Sequence, residues 1–175
     1  MRVASLLILL FLAACGTARS SRRAKPETLA PPEAWAGVAR VAVLPPDNWT
    51  TSIGPEYVAW NRAVIAELLR EKGYAVTPLA EVNRFLLRNR FTQAGEVRLY
   101  SMADLGKELS ADAILFWDIT GEGLNVDLVK ADGTRLWGSG EVYLDLPYNA
   151  PVRAGVDERM ALSLHEILRK LPPRP

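Results

Sequence analysis

Residues 111–120 read ADAILFWDIT, a run whose alternating side chains are apolar on both faces. A strand of that kind needs a covering layer on each side, so it predicts the centre of a doubly packed sheet. Arg40–Pro46, RVAVLPP, repeats the pattern. Val41 and Val43 alternate with Ala42 and Leu44, and Pro45-Pro46 stops the strand.

The stretches around these strands carry helical periods. Pro55 suits a first helical position, and Tyr57, Trp60, Val64 and Leu68 recur at helical spacing, with Ile65 and Leu69 widening the stripe. Gly73 stands where a C′ residue belongs. Tyr74–Thr77 predicts a short strand. Thr77 then reads as the cap of a second helix, with Pro78 next and Leu79, Val82, Phe85 and Leu86 on its apolar side. Residues 90–100 read as a loop. Ser101 to Asp104 opens a third helix in the manner of a capping box, with Met102, Leu105 and Leu109 facing one way.

Past the central strand, Leu124–Val129 alternates, which predicts Asn125 and Asp127 outward. Asp132-Gly133 signals a hairpin turn. The return strand runs from Arg135 toward Leu146, with Gly138 and Gly140 marking a bulge or bend. Met160, Leu164, Ile167 and Leu171 place a last helix near residues 157–171. The order β-α-β-α-α-β-β-β-α predicts a single α/β sandwich domain, a mixed sheet of about five strands flanked by about four helices with right-handed crossovers. Trp60, Trp117 and Trp137 are expected in its core.

The amino terminus reads differently. After Arg2, Val3–Ala14 run twelve residues without a charge. A spanning helix needs about 20 apolar residues, so this length suits the apolar region of an export signal. It ends Leu12-Ala13-Ala14-Cys15, and Cys15 is the only cysteine in the chain. One cysteine cannot form an internal disulfide. Residues 1–14 read as a signal peptide, 15–37 as the new terminus and a flexible tether, and 38–175 as the domain.

Twenty-two residues of coil after Cys15 would reach roughly 25 Å. Arg19, Arg22, Arg23 and Lys25 outweigh Glu27 and Glu33 there, which suits either contact with anionic headgroups or a solvated basic linker. From Val38 onward there are 16 basic and 18 acidic residues, which gives no basis for capturing nucleic acid.

Several strings carry a resemblance. Leu12-Ala13-Ala14-Cys15 resembles the lipobox of bacterial lipoproteins, in which Cys15 would be lipidated. Val41-Ala42-Val43-Leu44-Pro45-Pro46, Lys72-Gly73-Tyr74-Ala75-Val76, Ala111-Asp112-Ala113-Ile114-Leu115 and Asp132-Gly133-Thr134-Arg135-Leu136-Trp137 together resemble the bacterial outer-membrane lipoprotein family typified by a Neisseria surface-antigen candidate. More distantly they are similar to the TolB N-terminal-domain fold of LpoB and CsgG. Asp132-Gly133-Thr134-Arg135 stands where the group often has a Thr-Gly-Lys turn, and the long insertions of the curli channel are missing. The resemblance implies a lipid anchor in the bacterial cell envelope, with Gly16 after the cysteine favouring the outer membrane.

Candidates for chemistry are few. His165 is the only histidine, it lies one residue off the apolar stripe of the last helix, and lipidation would consume Cys15, so no metal-ligand spacing can be assembled. Asp112 and Asp118 lie six residues apart on one strand, roughly 20 Å, too far to share a proton. Gly121-Glu122-Gly123 lacks the rest of a phosphate loop. No metal, cofactor or catalytic residue is expected.

Ligands gather beyond the carboxyl ends of strands in open α/β sheets. Asp47, Asn48 and Trp49 are thus expected at a partner surface, together with Phe91. The reading is a non-catalytic binding or adaptor module held at the membrane by lipid, with an envelope protein as partner. The alternatives are a subunit of a homo-oligomeric envelope secretion or assembly complex and, resting on the α/β class alone, a hydrolase or small-ligand enzyme.

Overall fold

The computed structural model describes residues 27–46, 55–91, 94–120, 123–143 and 156–175. The strands are β1 (Thr28–Leu29), β2 (Arg40–Val43), β3 (Ala75–Val76), β4 (Ala113–Thr120), β5 (Gly123–Lys130) and β6 (Arg135–Tyr143). The helices are α1 (Pro55–Glu71), α2 (Leu79–Arg88), α3 (Met102–Glu108) and α4 (Val156–Arg169). The sheet order is β1-β6-β5-β4-β2-β3. β2 is parallel to β3 and β4, and the remaining pairs are antiparallel. The mixed α/β sandwich is as expected, and β4 lies inside the sheet.

The sheet has six strands rather than five because the domain reaches back into the stretch assigned to the tether. Thr28 and Leu29 pair with Gly138 and Trp137 of β6. A 3-10 helix, Pro32–Trp35, then drops the Trp35 ring into the core, with its Nε1–H donating to the Ala30 carbonyl at 3.3 Å. Lys130 Nζ ties the turn down by donating to the carbonyls of Ala34 and Ala36. Two paired residues and one buried ring are too short a signal to show a period in sequence.

One face of the sheet packs on α1 and α4. Val41, Val43, Leu115, Trp117, Val126, Leu128 and Trp137 meet Ile65, Leu69, Leu164 and Ile167 there. The other face packs on α2 and α3, where Ala42, Leu44, Ile114 and Phe116 meet Val82, Phe85, Leu105 and Leu109. Trp117 Nε1–H donates to the Leu44 carbonyl at 2.7 Å, so the fully buried indole keeps its donor paired.

The α1 stripe is rotated from its expected position. Val58, Asn61, Arg62, Ile65, Ala66, Leu68 and Leu69 face inward, and Trp60 is 44% exposed rather than core. Buried polar residues hid this. Asn61 Nδ2 donates to the Tyr57 carbonyl, and Arg62 reaches past the end of two-residue β3 to donate to the Val43 carbonyl (3.0 Å) and Asn83 Oδ1 (2.6 Å). Burial without a carboxylate partner among these contacts lowers the guanidinium to about 10. α1 ends as expected: Gly73 has φ +88°, its N–H donates to Arg70, and the Tyr74 N–H donates to Leu69, a Schellman closure.

Two other expectations change. Thr77 does not cap α2; its hydroxyl is buried and donates to the Leu109 carbonyl at 3.0 Å, linking the start of α2 to the end of α3. Within residues 90–100 a 3-10 helix, Ala94–Leu99, buries Val97 completely. Ser101 does cap α3, its Oγ accepting from the Asp104 N–H at 3.1 Å. The bend in β6 is a register shift opposite Asn125 and Asp127, with Gly140 at φ +68°.

Candidate functional site

Asn125 and Asp127 are not outward in the sense the alternation implied. They are 5% and 6% exposed, on the sheet face opposite Trp117. On that face α2 and α3 cover β2 and the first half of β4; farther along the sheet the buried side chains become polar. Asp118 on β4 stands directly across from Asn125, and Phe116 across from Asp127. Asn125 Nδ2 points to Asp118 Oδ2 and to Asp127 Oδ2, both at 3.5 Å, the long limit of a hydrogen bond. Arg135 closes an ion pair on Asp127.

Gly138 makes room for that pair. It faces Asp127 in register, and a Cβ there would lie 2.7 Å from Asp127 Oδ1 and collide with the Arg135 guanidinium. Ser139, in the bulge, accepts from the Val126 N–H and donates to the Gly140 carbonyl. Arg98 lays its guanidinium 4.2 Å over the Phe116 ring, at the boundary between the apolar and polar halves of the face.

Chemically, this cluster offers two carboxylates, an amide and guanidinium donors, with its one hydroxyl committed to backbone. Asp118 Oδ1, Asn125 Oδ1 and Arg135 Nε are buried without a partner. A one-residue slip of β5 would carry Asn125 and Asp127 into the apolar face, so the cluster holds the register of the β4-β5-β6 hairpins. The sequence contained a signal for it: the polar positions of β5, Gly138, and Arg135 beyond the turn. It could not show that these polar side chains end up buried.

The expected site residues are scattered. Leu12, Ala13, Ala14 and Cys15, and the loop residues Asp47, Asn48 and Trp49, lie outside the described residues. Phe91 is half-buried, its ring packed on Phe85 (centroids 5.8 Å apart) and Tyr100 (5.4 Å), so most of it supports the fold. Asp112 accepts from the N–H groups of Ala39 and Arg40 at 2.9 and 2.8 Å, capping the start of β2, while Asp118 sits toward the far end of β4. His165 is exposed in an open groove of about 460 Å³ between α1 and α4, beside Leu68, Glu71, Lys72 and Leu162. Among the described residues no group of three His, Cys, Asp or Glu is placed to hold a metal, and no helix is long and apolar enough to cross a membrane.

The described residues form a mixed α/β sandwich with a six-stranded sheet. The sequence model of the family described as "Putative lipoprotein GNA1162-like" matches residues 36–137, and the chain belongs to that family. The crystal structure of lipoprotein GNA1162 from Neisseria meningitidis is similar at TM-score 0.56 and 23% identity, covering 76% of this chain and 99% of that one. Two dodecamer structures of PelC from Paraburkholderia phytofirmans, one of them of a single-residue variant, are similar at TM-score 0.46 with 19% and 18% identity, covering 85% of this chain and 94% of those. No curated protein sequence matches the chain. The GNA1162 match bears out the fold; the likeness to LpoB and CsgG is not among what these matches show.

Proposed function

We propose that this chain is a lipid-anchored envelope lipoprotein whose domain is a non-catalytic binding module for an envelope protein. The observation that carries the reading is the chain's only cysteine, Cys15, directly behind Leu12-Ala13-Ala14 in a member of a lipoprotein family. Cleavage before Cys15 and acylation of its sulfur and amine supply more than one acyl chain, which stable anchoring needs. Gly16 after the cysteine supports the outer membrane as the destination.

The partner surface in this reading is the segment from Asp47 to Trp49 together with Trp60, which is exposed beside Tyr57 (ring centroids 6.5 Å) on the helix that follows. A large aromatic left at the surface is the residue type that anchors protein interfaces. Cys15→Ser is expected to move the protein from the membrane pellet to the soluble fraction with its domain still folded; retention in the pellet sinks the anchor. Trp60→Ala and Trp49→Ala are expected to lose crosslinks to the partner in intact cells while leaving membrane attachment unchanged. Mass measurement in mild detergent tests the alternative of a homo-oligomeric assembly.

A further inference from the structure

The helical layer opposite α1 and α4 exposes a mixed apolar and cationic surface that the reading above leaves unused. Leu87 on α2 is 79% exposed and Leu99, closing the 3-10 helix, is 86% exposed. The two segments that carry them are joined where Tyr100 O–H donates to Asn89 Oδ1 at 3.0 Å. The rings of Phe85, Phe91 and Tyr100 pack on one another at 5.4–5.9 Å, which ties α2 to the segment that ends at Tyr100.

Around them residues 79–100 hold Arg84, Arg88, Arg90 and Arg98 against Glu81 and Glu96, in a chain that is charge-balanced beyond Cys15. Arg84, Arg88, Arg90 and Arg98 are all exposed. Arg88 pairs with Glu108 and Arg98 rests on Phe116. Arg90 projects from a left-handed turn at φ +58°. Exposed leucines on segments that also carry exposed arginines match the chemistry of a bilayer surface, apolar inside and anionic at the headgroups.

The length of the link brings that surface within reach. With residues 27–37 built into the domain, only 16–26 separate it from Cys15. Eleven residues reach at most about 37 Å at full stretch, against a domain roughly 38 Å across.

We propose that the surface formed by Leu87, Leu99, Arg84 and Arg90 docks on a bilayer containing anionic phospholipid and lays this helical layer on the membrane, leaving the α1 and α4 side toward the partner. The proposal rests on the lipid-anchored reading for its context, and its test does not. The acyl-free mature chain, Cys15→Ser, is floated with vesicles of phosphatidylcholine alone and of phosphatidylcholine mixed with phosphatidylglycerol. It is expected to bind the mixed vesicles and not the neutral ones.

Arg84→Glu with Arg90→Asn, the latter chosen because asparagine tolerates a left-handed backbone, is expected to weaken binding about tenfold or more. Leu87→Ser with Leu99→Ser is expected to weaken it as well, whereas Leu162→Ser on the opposite layer leaves it unchanged. Failure to bind mixed vesicles overturns the proposal, as does binding that survives both double variants or falls equally with Leu162→Ser. A free thiol on Cys15 of the cell-derived protein would refute the anchor alone and leave the vesicle results standing.

Discussion

On the side of α1 and α4, β4 and β5 present Trp117, Val126 and Leu128, all buried and apolar. Turned over, the same strands present Ile114 and Phe116 and then Asp118, Asn125 and Asp127. The first face is buried along its length, while the second is buried at Phe116, Asn125 and Asp127 and partly open at Asp118 and Arg135. One is packed by apolar helices, the other by helices over its first half, with a polar network among the strands' own side chains beyond it. Burial alone therefore does not tell a packing face from a specifying face; the chemistry of the buried atoms does.

The largest effect expected from this contrast is at Trp117. Trp117→Ala removes a fully buried ring and strands the Leu44 carbonyl, and is expected to cost about 3–5 kcal/mol in urea unfolding. Phe116→Ala, one residue along on the other face, is expected to cost less, because the polar half beside it can admit water. Equal losses would erase the distinction.

Next comes the network itself. Asp127→Ala leaves Arg135 beside a buried space, and because the Arg135 side chain keeps 35% exposure the expected loss is about 1–3 kcal/mol. Asn125→Leu removes an unpartnered Oδ1 and is expected to stay within about 1 kcal/mol of the parent. A cost as large as that of Asp127→Ala would mean that the amide does more than fill its place.

The smallest effect lies at the edge of the α1 and α4 side. Tyr74 O–H donates to the Pro172 carbonyl at 3.1 Å, and burial pushes the phenol up to about 12. The folded phenol then stays protonated where the unfolded one, near 10, has ionised, so this contribution is present below pH 10 and is lost as pH rises toward 12. Tyr74→Phe is expected to cost about 1 kcal/mol at neutral pH. Its deficit should shrink as the pH of unfolding is raised from about 10 to about 12; a constant deficit would refute the linkage.

Legibility in the sequence followed the strength of the local pattern. β2 and β4 were readable because their runs are apolar on both faces, and α4 because Met160, Leu164, Ile167 and Leu171 keep strict helical spacing. Trp60 was misjudged because Asn61 and Arg62 occupy inward positions that look polar in a string. β1 and Trp35 were missed because a two-residue strand has no period. Asn125 and Asp127 were recognised as one face of β5, but which faces are closed depends on elements distant in the chain.

The sequence by itself determined the class of fold, the order of its longer elements and the single cysteine behind an apolar run, because each is a property of neighbours along the chain. Tertiary structure decided that residues 28–35 join the sheet and the core, which aromatic rings remain outside and which polar side chains of the sheet are buried. Those outcomes belong to contacts between residues about 100 apart, such as Leu29 with Trp137 and Lys130 with Ala34, where desolvation is settled only after the layers close.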